Sequence, residues 1–159
     1  MKISVHRVDY QNDLHRECFI RLMDEYAKFE LGNDRPDVRS LPDQLDEFPT
    51  AFSVLAFTDS DPKHAVGLVN CLFGFSTFMR KQLVNIHDVI VTDSHRGRGV
   101  VAVMLAKVEV IARGADCCRL TLEVYENNQP ARRAYAKYGF TGDPVHPDVN
   151  TLFLRKTLE

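Results

Sequence analysis

Two apolar runs, AFSVLAF at residues 51–57 and AVGLVNCLFGF at 65–75, stand on either side of TDSDPKH. The Asp, Ser and Pro of the middle segment read as a hairpin turn between two β-strands. Strands this apolar need cover, so the rest of the chain has to supply helices to the faces of their sheet.

The remaining elements follow from periodicity. Ile3 to Val8 alternates as an opening strand. Leu14, Cys18, Leu22, Met23, Tyr26 and Phe29 recur at helical spacing, with Asp13 as the expected N-cap. DQLDEF allows a short second helix that stops before Pro49. A third sheet strand is expected at Leu83 to Val91. Next come a helix with Val100, Val103, Met104, Val108 and Ile111 on one face, an alternating strand CRLTLEV, a helix from about Gln129 to Tyr138, and a terminal strand TLFLRKTL. The order β-α-α-β-β-β-α-β-α-β, with a further strand allowed at Phe140, predicts a mixed α/β (α+β) sheet with helices on its faces.

The chain has 159 residues, 45% of them hydrophobic, which suits one globular domain over 1–159. A net charge of -2 argues against a nucleic-acid or membrane-surface protein. Cys18, Cys71, Cys117 and Cys118 lack metal-cage spacing, so buried reduced thiols and no metal are expected. The N-terminal MKISVHRVDY lacks a signal-peptide core and no stretch is apolar enough to span a bilayer, so the expectation is a cytoplasmic protein.

The segment NIHDVIVTDSHRGRGVV, residues 85–101, carries the chemistry. Gly97 and Gly99 permit a tight turn into a helix whose free N–H groups, with Arg96 and Arg98, suit a phosphate. A plain strand-to-helix turn with solvated arginines is the alternative. The G-K-[ST] ending of a P-loop and the full G-x-G-x-x-G are both absent.

Arg96-Gly97-Arg98-Gly99 resembles the Gln/Arg-x-x-Gly-x-Gly/Ala pyrophosphate loop of the GNAT superfamily of N-acetyltransferases. ENNQPARRAYAKYGF resembles that family's second segment, with Asn128, Ala131, Tyr135, Gly139 and Phe140 in register. The resemblance implies a GNAT fold, a mostly antiparallel sheet of six to seven strands with about four helices, and acetyl-CoA as cosubstrate. It places Arg96, Gly97, Arg98, Gly99, Val100 and Val101 around the pyrophosphate and the backbone of Val89, Ile90 and Val91 along the pantetheine arm. Val101 departs from the family's usual Gly or Ala, which bears on how closely the pyrophosphate approaches. Lys107, Arg113 and Arg119 add positive charge to the same half of the chain.

The implied reaction is acetyl transfer to a primary amine by direct attack, without a covalent enzyme intermediate. An alkylamine of pKa about 10.4 has to lose a proton first. His87 suits that base role, Asp88 competes if a bulge changes which side chain faces the acceptor, and a histidine satisfied within the sheet is the plain reading. Asn85 shares that strand face. Tyr135 matches the family's general acid, and Tyr138 reads as structural. Asn128 either contacts the cofactor or caps the last helix.

Acceptor choice is implied to lie in residues 14–48 and in FGFSTFMRKQ. Between Asp24 and Glu47 there are eight acidic and three basic residues, which favours a cationic small-molecule acceptor or is only a solvated face. Phe73, Phe75 and Phe78 either line an acceptor pocket or pack under the loop. A protein or peptide acceptor, and an acyl-CoA sensor with little turnover, are the alternatives, and the family's habit of dimerising makes a homodimer a further expectation.

Overall fold

The computed structural model describes residues 1–142 and residue 156. In order, these form β1 (Ile3–Arg7), α1 (Asp13–Leu31), α2 (Leu41–Asp46), β2 (Ala51–Thr58), β3 (Gly67–Ser76), β4 (Lys81–Val91), α3 (Val100–Gly114), β5 (Leu120–Leu122) and α4 (Gln129–Tyr138). The expected terminal strand TLFLRKTL lies outside the described residues apart from Lys156, and Phe140 starts no strand. The chain divides into two compact units, Met1–Glu123 and Val124–Glu159, taken separately below.

The first unit is built on a five-stranded sheet in the order β1-β2-β3-β4-β5, antiparallel except for the parallel β4–β5 pair. All eight residues of β2 are buried, as a central strand covered on both faces requires. Leu55, Phe57, Leu68 and Ile90 on one face close over Cys18, Phe19 and Leu22 of α1. The alternate residues face α3, whose Val100, Met104, Leu105 and Val108 are buried. Close approach on that side depends on Gly67: a Cβ there would lie 2.8 Å from Met104 Sδ and 3.1 Å from Val100 Cγ1.

Local chemistry sets the element ends. Asn12, rather than Asp13, caps α1, its Oδ1 accepting from the His15 N–H at 3.0 Å. Asp13 is the first helical residue, where its charge favours the helix dipole. The strand expected from CRLTLEV shortens to Leu120–Leu122, with Cys118 N–H donating to Gln82 O (2.8 Å) and Val84 N–H to Arg119 O (3.1 Å). Its partner register ends at Ile86, immediately before an irregularity in β4.

Within the second unit, Asn128 Oδ1 caps α4 by accepting from the Ala131 N–H at 3.2 Å. Gly139 closes the helix at φ 103°, the Gly139 N–H reaching Ala136 O and the Phe140 N–H reaching Tyr135 O, both 3.0 Å. This is a Schellman end, sealed by Tyr135 and Phe140 rings 5.9 Å apart.

Gly67→Val is expected to lower the unfolding free energy by about 1–3 kcal/mol through overpacking against Met104. Urea denaturation of the variant checks this.

Candidate acetyl-transfer site

The irregularity in β4 is a β-bulge. Asn70 of β3 is opposite Asp88, but its neighbour Cys71 is opposite Ile86, so His87 is the extra residue. The bulge resets the alternation: Asn85 and Asp88, three apart, fall on the α1 face, while Val84 and Ile86 fall on the α3 face. His87 Nδ1 lies 3.4 Å from Asn85 Oδ1, so the exposed imidazole leans to the α1 side as well. Both candidate bases therefore line one cavity.

That cavity, about 170 Å³, lies between α1, α2 and the sheet. Met23, Leu41, Leu45, Phe52 and Leu72 give it apolar walls, and His87 and Asp88 give it polar chemistry. Asp88 is half-buried, and its Oδ2 accepts from Asn70 Nδ2 at 2.9 Å.

Beyond the bulge, β4 loses its second neighbour, for among the described residues β5 pairs only with Val84–Ile86. Thr92 N–H donates to Val66 O on the β3 side. Strand alternation then turns the N–H groups of Val89 and Val91 toward the unpaired side and that of Ile90 toward β3. The unpaired edge leads into the turn. Gly97 (φ 73°) and Gly99 (φ 81°) have left-handed backbones that side chains disfavour, although the space around them is open. Gly99 brings no side chain to the first turn of α3, which also lacks an acidic residue there, so the leading N–H groups face outward with their partial positive charge.

Arg96 is tied into this turn, Nε to Val91 O at 3.2 Å and NH2 to Asp93 Oδ1 at 2.9 Å, whereas Arg98 is exposed. Val100 is buried in the core and Val101 is half-buried. The wider basic cluster is committed elsewhere: Arg113 pairs with Glu109 at 2.5 Å and Arg119 donates to Ser76 Oγ at 3.0 Å.

The acidic segment is also largely paired. Asp24 binds Arg35 (2.7 Å), Asp37 binds Arg39 (2.6 Å) and Asp43 binds Arg16 (2.6 Å). The Arg39 guanidinium and backbone N–H hold the Asp37 carboxyl down at about 2. Of the aromatic group, Phe73 packs against Phe52 with ring centroids 5.0 Å apart, while Phe75 and Phe78 are 63% and 98% exposed and do not line the cavity beside Asp88. Cys18 and Cys71 are buried, but Cys117 and Cys118 are only half-buried; all four are free. Burial pushes the Cys71 thiol far up, with the Asp88 charge adding to it, which makes it inert as a nucleophile. No group of side chains suited to a metal ion occurs among the described residues, and no described helix is long and apolar enough to cross a membrane.

In the second unit, burial raises the Tyr135 phenol above its usual value, so it carries its proton at neutral pH. Asn128 is engaged as the α4 cap. Three buried polar residues escaped the sequence reading: Tyr10, Ser53 and Asn70, which form a hydrogen-bonded line to Asp88. Only a polar interruption in otherwise apolar strands marks them in the sequence.

Together, a strand whose pairing with β5 ends at a bulge, a small cavity beside that bulge and a glycine turn at a helix N-terminus make up the candidate site. The acetyltransferase (GNAT) family model matches residues 12–140, and the chain belongs to that family. It is 32% identical over 120 residues to the streptothricin acetyltransferase of Streptomyces lavendulae, an alignment covering 74% of this chain and 64% of that protein. The chain thus aligns with under two thirds of the length of that relative. An aminoglycoside acetyltransferase from an uncultured soil metagenomic sample, solved with trehalose, superposes with a TM-score of 0.79 at 18% identity, over 99% of this chain and 97% of that one. AAC(6')-Iy with a CoA-S-monomethyl-acetylneamine bisubstrate analogue gives 0.76 at 17% identity, over 99% and 100%. At these identities the likeness to the solved structures is one of fold.

Gly99→Ala is expected to cost about 1–2 kcal/mol of stability for placing a Cβ in the left-handed region, and Gly99→Asn less. Guanidinium unfolding of the two variants side by side checks this.

Proposed function

We propose that the chain is an acetyl-CoA-dependent N-acetyltransferase acting on the primary amine of a small, cationic molecule, and that residues 1–159 work as one domain. The observation that carries this is the bulge at His87, which turns His87 and Asp88 into one small cavity at the point where β4 frees its backbone edge. The names of the relatives, streptothricin and aminoglycoside acetyltransferases, support a small-molecule acceptor.

In this reading the N–H groups at the α3 N-terminus, with Arg96, Gly97, Arg98, Gly99, Val100 and Val101, hold the pyrophosphate of acetyl-CoA. Gly97 and Gly99 are exposed with open space around them, and Val101 is half-buried in the first turn of α3. The outward N–H groups of Val89 and Val91 bind the pantetheine arm and stabilise the thioester oxygen as it gains charge. Asp88 draws in the ammonium, and His87 takes the proton that the amine must lose. The amine nitrogen forms its bond to the acetyl carbon as the carbon–sulfur bond breaks, the Tyr135 phenol supplies a proton to the departing thiolate, and the second proton that the new amide nitrogen sheds restores the phenol.

Calorimetric titration with acetyl-CoA, with desulfo-CoA and ATP as controls, is expected to give micromolar binding of the two CoA compounds, about 8 kcal/mol, and none of ATP. A folded protein that ignores CoA compounds overturns the reading. Release of CoA thiol is then followed with streptothricin, an aminoglycoside and cadaverine as amines.

Tyr135→Phe is expected to lower kcat by about 10²-fold or more while acetyl-CoA still binds. His87→Ala should act on kcat, and Asp88→Asn chiefly on the KM of the amine. A loss of kcat confined to the Asp88 variant would reverse the two roles. An acyl-CoA sensor would bind acetyl-CoA as tightly in all three variants and release no CoA.

A further inference from the structure

The polar line that ends at Asp88 crosses three strands of an otherwise apolar interior. Tyr10, just beyond β1, lies 2.7 Å from Ser53 Oγ; Ser53 of β2 donates to Asn70 Oδ1 at 2.6 Å; Asn70 of β3 donates from Nδ2 to Asp88 Oδ2 at 2.9 Å and to Met23 Sδ at 3.2 Å. Ser53 is 1% exposed and Asn70 9%. Buried hydroxyl and amide groups cost stability unless every bond is made, and among the described residues no buried side-chain polar atom is left without a partner.

The direction of the line is fixed by its last member. An ionised carboxylate only accepts, so the Asn70 NH2 has to face Asp88 and its carbonyl has to face Ser53. The one Ser53 proton then goes to Asn70, which leaves the Tyr10 hydroxyl to donate to Ser53. Burial raises the Tyr10 phenol, which keeps that proton in place. All three donors point toward Asp88, and no other orientation of the amide satisfies every atom while the carboxylate is charged. Of the two Asp88 oxygens, only Oδ2 is engaged among the described residues.

We infer that Asn70, oriented by Ser53 and Tyr10, is the positioning residue that sets the Asp88 carboxylate with one oxygen bound to the sheet and the other left for the acceptor's ammonium. This rests on the acceptor reading above for its purpose, but the positioning itself can be measured without turnover. An amide is a poor proton carrier, so the line is an orienting device and no proton path. It also ties Asp88 of β4, through Asn70 of β3 and Ser53 of β2, to Tyr10 in the segment between β1 and α1.

The test uses the full chain and two readouts. The first is the NMR resonance of the Asp88 side-chain carboxyl carbon, assigned by its disappearance in Asp88→Asn. Asn70→Leu, close in volume but without a donor, is expected to move it, Ser53→Ala to move it less, and Ser53→Thr, which keeps the hydroxyl, to leave it near the parent position. The second is steady-state kinetics with cadaverine, in which Asn70→Leu raises the amine KM by about tenfold or more and leaves the acetyl-CoA KM unchanged. Placed on Asp88→Asn, the same substitution should add nothing further to the amine KM.

An unmoved resonance in Asn70→Leu overturns the inference, as does an equal additional loss in the Asp88→Asn background. Should Asn70→Leu fail to fold, the Ser53→Ala and Ser53→Thr pair decides on the same resonance. A parent protein that turns over neither cadaverine, streptothricin nor an aminoglycoside counts against the acceptor reading, and the resonance still decides the positioning.

Discussion

One extra residue in β4 organises the candidate site. Without the bulge at His87, the alternation of the strand would send Asp88 to the α3 face, into the layer of Met104 and Val108, where an unpaired carboxylate costs several kcal/mol. With it, Asp88 meets Asn70 and the cavity. The same bulge lies at the end of β4–β5 pairing, because a bulged strand bends and twists away from a straight neighbour. The cavity beside Asp88 and the unpaired edge are therefore two results of one local event, which fixes their spacing along β4.

The two faces of the sheet then carry different burdens. The α3 face is closely packed: a Cβ at Gly67 would press on the Met104 thioether and on Val100, so one of them has to shift. The α1 face mixes an apolar cluster of aliphatic and aromatic residues with a polar line at its α2 end. Rigid packing on one side supports a strand whose other side has work to do, and the helix that supplies this packing, α3, is also the one whose N-terminus faces the glycine turn.

Most of the element order was legible because it rests on local patterns: apolar runs, the 3.6 period of α1 and α3, and the Gly and Pro punctuation. The mixed, mostly antiparallel sheet and the family followed from these and from two short motifs. What failed was non-local. Asp13 and Asn12 are both good caps, and only geometry chooses between them. The acidic surplus from Asp24 to Glu47 left open an attraction for cations or a solvated face, and three of its members are answered by Arg16, Arg35 and Arg39, the first of which lies outside the segment. Phe75 and Phe78 left open whether they line a pocket or pack under the loop, and both are exposed. The bulge was foreseen only as an alternative, since neither its presence nor its position is written in the period of β4. Tyr10, Ser53 and Asn70 were missed because bonded partners 43 and 17 positions apart become neighbours only once the strands are in register.

The donors on the unpaired edge of β4 belong to the main chain, so nearly any residue except proline can stand at positions 89 and 91 and still present them. A grip made from amides leaves little trace in side-chain identity. Chains holding to this plan are free to drift in composition along the very strand that matters most, which accords with solved structures at 17–18% identity that keep the same fold. In such a lineage, ancestry is recorded in how the backbone is bent more durably than in which letters spell it.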